Sequence, residues 1–371
     1  MCHALYQTHI LTQLHGSDNG YNAPHLRKTA LIEKLQCLEI LDIRQTTEKS
    51  FAAKSIMLPM LKHLFAGQAD QSPSNSSDGP QDLFTAVRLP SSIRRMEQLE
   101  TMSHVEAYHS VNDLADVGHL LWPRKLGVVL RGKDGLDVLF QQIAKLQGGL
   151  QSLSIQINQP PKVEDALTLA LLLQQVEKLH GCLRSLSIQI NQNPKLEDAL
   201  RLASPPKLLQ SLKISGIKSE LLNWIAELGQ LTRMTLNQTY LGEEYICILG
   251  KLTTLRCLRL RHNSYAGSGL TFKDGELENL EYLFVNDEII TNITFDTGAA
   301  HMLETIVWSF AKMESISGVG SLPMLKKLEL NGDCDPGPIR QALRDRIRFN
   351  HFDFKHKPGH GHHEDKAAVS A

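Results

Sequence analysis

The chain has 371 residues, and its 39 lysines and arginines almost balance 40 aspartates and glutamates, for a formal net charge of −1 at pH 7. That balance argues against a general nucleic-acid-binding or polybasic membrane-surface protein. Hydrophobic residues at 42% exclude a disordered chain, aromatics at 6% demand an aliphatic core, and leucine alone fills about one position in six.

Residues 1–30 read as an irregular N-terminal segment. Met1 to Gly16 is interrupted by histidines and other polar residues. It lacks the basic and continuous apolar regions of a secretion signal. No apolar run approaches the roughly 18 residues of a membrane span. Cys2, Cys37, Cys182, Cys247, Cys257 and Cys334 form no C-x-x-C pair and read as reduced thiols. A cytoplasmic location is therefore expected, and the sequons at Asn75, Asn237 and Asn292 read as chance matches.

From residue 31 a leucine pattern recurs. Leu35, Leu38, Leu41 and Ile43 form one copy, and Leu58, Leu61 and Leu64 the next. Residues 68–82, rich in Ser, Pro, Asp and Gly, read as a surface loop. Weaker copies follow at Met96, Leu99, Met102 and at Leu126, Val128. A tandem duplication then stands out. LQSLSIQINQPPKVEDAL from Leu150 returns as LRSLSIQINQNPKLEDAL from Leu183, with an offset of 33 and three differences. Residues 163–179 are predicted as a helix, with Glu164 and Asp165 in its first turn, where the helix dipole favours negative charge.

The pattern is clearest further on, at Leu249, Leu252, Leu255, Leu258 and Leu260. The steps from Leu212 through Met234, Leu258, Leu283 and Ile306 to Leu328 are 22, 24, 25, 23 and 22 residues, inside the leucine-rich-repeat range. Each x-L-x-L stretch alternates with period two, so it is a strand and not a helix. One such strand cannot bury its own apolar face, and stacking copies makes a continuous core. The expected fold is α/β: a leucine-rich-repeat solenoid over 31–335, a horseshoe with a parallel sheet on its concave face and irregular loops and short helices on its convex face. Residues 336–350 are predicted as a capping helix, with Ile339, Leu343 and Ile347 on one face, and 351–371 as a flexible His-rich tail.

These repeats carry a resemblance. LQCLEILDIRQT (35–46), LPMLKHLFAG (58–67), LTRMTLNQTYL (231–241), LTTLRCLRLRHNSYAG (252–267) and LPMLKKLELNGD (322–333) resemble the repeat region of cereal coiled-coil, nucleotide-binding, leucine-rich-repeat disease-resistance proteins. The L-x-G-x-I-P signature of extracellular plant repeats is absent. The resemblance implies a recognition role in plant defence, with a pathogen protein or a receptor nucleotide-binding domain as partner. The sequence has no G-x-x-x-x-G-K-[ST] loop, so no ATP and no cofactor are expected, and the chain resembles such a receptor truncated to its repeats. Two alternatives stay open: an adaptor outside immunity, such as a ubiquitin-ligase substrate receptor, or a non-functional remnant.

No chemistry-bearing motif points to an enzyme. There is no G-x-S-x-G elbow, no cysteine in a catalytic context, and His363-Glu364 lacks a second zinc-binding histidine. His351, His356, His360, His362 and His363 read as a solvated tail rather than a metal site. NGDCDPG from Asn331 fails as a calcium loop because Pro336 stands where glycine is needed. Binding remains. Alternation puts Ser152, Ser154, Gln156, Ser185, Ser187 and Gln189 on the concave face, followed by more highly charged strands. The partner-binding candidates are Lys213, Arg233, Arg259, Arg261, Tyr282 and Phe284, an Arg-and-aromatic set of the kind that dominates interfaces, suited to an acidic protein.

Overall fold

Period-two alternation becomes parallel strands in the computed structural model, which describes residues 36–42, 58–66, 87–88, 93–107, 114–130, 135–146, 149–157, 176, 182–190, 206–217, 225–344 and 352–358. The chain divides into two units, Met1–Leu228 and Gly229–Ala371. The solenoid predicted over 31–335 spans parts of both. The loop predicted over 68–82 and the segment 1–30 lie outside the described residues.

The N-terminal unit contains β1 (Ile40–Asp42), β2 (His63–Phe65), β3 (Val87–Arg88), β4 (Thr101–Ala107), β5 (Lys125–Leu130), helix α1 (Leu136–Ile143), β6 (Ser152–Ile157), β7 (Ser185–Ile190) and β8 (Ser211–Ser215). The strands pair in parallel in the order β1-β2-β4-β5-β6-β7-β8, with β3 also on β4. Register stacks like on like. Leu41, Leu64, Met102, Leu126, Leu153, Leu186 and Leu212 form one buried ladder. The duplicated strands pair residue for residue, Ser152 on Ser185 through Ile157 on Ile190. Their shared sequence therefore gives two identical rungs. Helix α1 buries Leu136, Leu139, Phe140 and Ile143 at helical spacing. Of the helix predicted over 163–179, only Val176 is described, and it is helical and buried.

The C-terminal unit contains β9 (Arg233–Asn237), helix α2 (Glu243–Gly250), β10 (Cys257–Arg261), β11 (Gly269–Phe272), β12 (Tyr282–Asn286), β13 (Asn292–Phe295), β14 (Thr305–Ser309), β15 (Ser315–Ser317), β16 (Lys327–Asn331), helix α3 (Gly337–Ala342) and β17 (Asp353–Lys357). The main parallel sheet runs β9-β10-β12-β14-β16-β17. Met234, Leu258, Leu283, Ile306 and Leu328 form its first inward ladder, and Leu236, Leu260, Val285, Trp308 and Leu330 the second, none more than 2% exposed.

One device repeats in both units. The last turn before most strands ends with two successive N–H groups donating to one carbonyl of the preceding repeat. Arg256 and Cys257 donate to Thr232, Glu281 and Tyr282 to Arg256, and Glu304 and Thr305 to Glu281. In the N-terminal unit Gln151 and Ser152 do the same to Arg124, and Arg184 and Ser185 to Gln151. These shared acceptors lock the register where each strand begins. Beyond the strands, Thr239 donates to the Ser264 carbonyl, and buried Asp287 accepts from the Ser264 and Ile289 amides. The buried turns are thus satisfied from repeat to repeat.

Two features depart from expectation. First, β11, β13 and β15 form a second parallel sheet where loops and short helices were predicted. Leu270, Phe272, Ile293 and Phe295 on it are buried, and Phe272 stacks on Phe295 at 5.3 Å. Second, β17 occupies the start of the predicted flexible tail. Phe352 is buried, Phe354 stands in register with Leu328, and His356 with Leu330. Within the predicted capping helix, α3 covers Gly337–Ala342 and buries Ile339, with Leu343 buried just beyond; Ile347 lies outside the described residues.

Candidate protein-recognition surface

In the C-terminal unit the outward side chains of the main sheet form three rows across the strands. The first runs Arg233, Cys257, Tyr282, Thr305, Lys327, Asp353. The second runs Thr235, Arg259, Phe284, Val307, Glu329, Lys355, and the third Asn237, Arg261, Asn286, Ser309, Asn331, Lys357. Five of the six candidates stand on this one face. Lys213 belongs to the N-terminal unit, on β8 in register with Ser187.

The arginines are organised by the aromatics of the next strand. The Arg259 guanidinium lies over the Tyr282 ring, and that of Arg261 over Phe284, each 5.6 Å from the ring centroid. Each contact is diagonal, since Arg259 is in register with Phe284 and Arg261 with Asn286. Such pairs are worth about 0.5–1 kcal/mol when exposed. Their larger effect is to fix where two flexible cations sit. The outward positions of β9, β10, β12 and β14 carry no carboxylate. Burial pushes the Tyr282 hydroxyl above its ordinary value, with Arg259 opposing, so the ring stays neutral.

The next two strands behave differently. Glu329 is 13% exposed and accepts from Lys357 at 2.7 Å and Lys327 at 3.0 Å. Hydrogen bonds from Lys357 and then Lys327 hold its carboxyl down at about 2, against an ordinary 4.5. Lys355 pairs with Asp353. Here the cations serve internal anions, whereas Arg233, Arg259 and Arg261 have no ion-pair partner among the described residues.

Sequence reasoning missed the outward residues of β14 and β17. Val307 is apolar in an outward position and hides the alternation of T-I-V-W-S. β17 offers only Phe354 as an inward apolar signal. In the N-terminal unit the corresponding face of β6 and β7 is serine and glutamine, polar and uncharged.

Among the described residues, no group of three or more His, Cys, Asp or Glu could hold a metal ion, and no helix is long and apolar enough to cross a membrane. Cys334 and His356 do meet, Sγ to Nε2 at 3.5 Å, but that nitrogen also lies 3.0 Å from the Gly332 carbonyl, and burial raises the thiol pKa. An Nε2–H shared with that carbonyl cannot act as a base toward the thiol. No curated protein matches the chain. The family model described as "Leucine-rich repeat region" matches residues 29–344. With parallel repeat strands in both units and this match over most of its length, the chain belongs to the leucine-rich repeat region family.

Proposed function

We propose that the chain is the non-catalytic recognition module of a plant intracellular immune receptor, acting in the cytoplasm. It binds a pathogen protein or a receptor nucleotide-binding domain through the outward face of β9, β10 and β12. The observation that carries this is Arg233, Arg259 and Arg261, without an ion-pair partner among the described residues, with two of their guanidinium groups seated on Tyr282 and Phe284. Arginine and aromatic side chains on a rigid sheet are the composition of binding hot spots. The cereal-type repeat segments at 231–241, 252–267 and 322–333 support the defence setting.

Affinity capture from plant lysate, with and without pathogen challenge, tests the setting. The expected capture is a nucleotide-binding receptor or a pathogen protein, recovered with wild type and depleted with the Arg233→Ala/Arg259→Ala/Arg261→Ala variant. Ubiquitin-ligase subunits in its place would overturn the immune reading in favour of an adaptor.

A further inference from the structure

We infer that this face takes an extended acidic segment of the partner, with two carboxylate side chains two residues apart, one on Arg259 and one on Arg261. The inference rests on the recognition reading above and names its ligand. Arg259 and Arg261 share β10 and point to the same side. Two residues along a strand place their origins about 7 Å apart. An extended chain carries alternate side chains at that same repeat, so acidic residues in a Glu-x-Glu arrangement match the pair.

Several observations narrow the ligand. The guanidinium groups already cover the Tyr282 and Phe284 rings, so those faces are taken and cannot stack bases as single-stranded nucleic acid requires. Planar guanidinium groups held in place present forked N–H donors, which fit carboxylates two bonds at a time. Asn286 stands beside Arg261 in register and carries both donor and acceptor, the complement of a peptide backbone group. Lys327 and Lys357 cannot play this part, because Glu329 holds both.

The test is fluorescence anisotropy with a labelled peptide carrying Glu-Ser-Glu between glycines, against the full chain. Saturable binding is expected. It weakens about tenfold or more when the peptide carries Gln-Ser-Gln, and by a similar factor in Arg259→Ala/Arg261→Ala. Arg259→Lys/Arg261→Lys keeps the charge and loses the fork, so it weakens binding too. Thermal unfolding of each variant confirms that it folds. Equal binding of the two peptides, or wild-type binding by the lysine variant, would overturn the inference. So would displacement by equimolar inorganic phosphate, which would mark a lone-anion site, or tighter binding of a single-stranded oligonucleotide. If the peptide fails while a captured partner still distinguishes wild type from the alanine variant, the segment is wrong and the recognition reading stands. A captured partner indifferent to the arginines would overturn the reading itself.

Discussion

Glu329 shows how single side chains set the character of the recognition face. Two lysines close on it from its own strand and from β17, and its carboxyl falls to about 2. A folded-state value below the unfolded one stabilises the fold above the unfolded value and ceases to do so as pH falls through the folded one. The contribution is therefore lost between about 4.5 and about 2. Both lysines are partly solvated, at 33% and 67% exposed. Screening cuts the contribution to about 1 kcal/mol. Glu329→Gln should cost that much in urea unfolding at neutral pH, and the gap to wild type should close by about pH 2. A gap that persists undiminished in acid would assign the loss to packing instead. The rings beneath Arg259 and Arg261 work at the same scale, but their diagonal placement depends on side-chain direction, which alternation alone does not encode.

At the scale of elements, leucine spacing made the strands legible. The x-L-x-L stretches from residue 211 onward predicted β8, β9, β10, β12 and β16 with the correct inward residues. The second sheet was equally periodic, since Leu270, Ile293 and Ile316 step by 23, as do Phe272 and Phe295. Its strands are short and lack the preceding leucine turn, so they read as loop. β4 carries the other irregularity. Its register on β5 shifts between Met102 and Val105, and His104 adopts φ 51°. An extra residue is thus taken up against β5. Gly127 makes room for it: a Cβ there would lie 2.9 Å from the His104 nitrogen and 3.1 Å from the Ser103 Cα, both backbone. Backbone cannot swing aside as a side chain does. Gly127→Ala should destabilise the chain by about 1–3 kcal/mol, read as a lowered urea midpoint. An unchanged midpoint would mean that the bulge relaxes without cost.

For the whole molecule, both units are built from the same rung. In each unit most strands borrow one carbonyl from their predecessor, and each leucine ladder is completed by its neighbours, so stability is shared along each unit's strands. The outward faces are then free to differ, because the inward leucines and the shared backbone acceptors hold the register. Serine and glutamine cover β6 and β7, while arginine and aromatics cover β10 and β12. A chain of net charge −1 thereby concentrates three arginines without an ion-pair partner among the described residues on a face whose first four strands carry no carboxylate. The most direct measurement is calorimetric titration of the captured partner into wild type and into the Arg233→Ala/Arg259→Ala/Arg261→Ala variant, at low and high salt. Affinity should fall about tenfold or more in the variant, and its salt dependence should flatten. Equal affinity and equal salt dependence in the two proteins would contradict a recognition surface on this face.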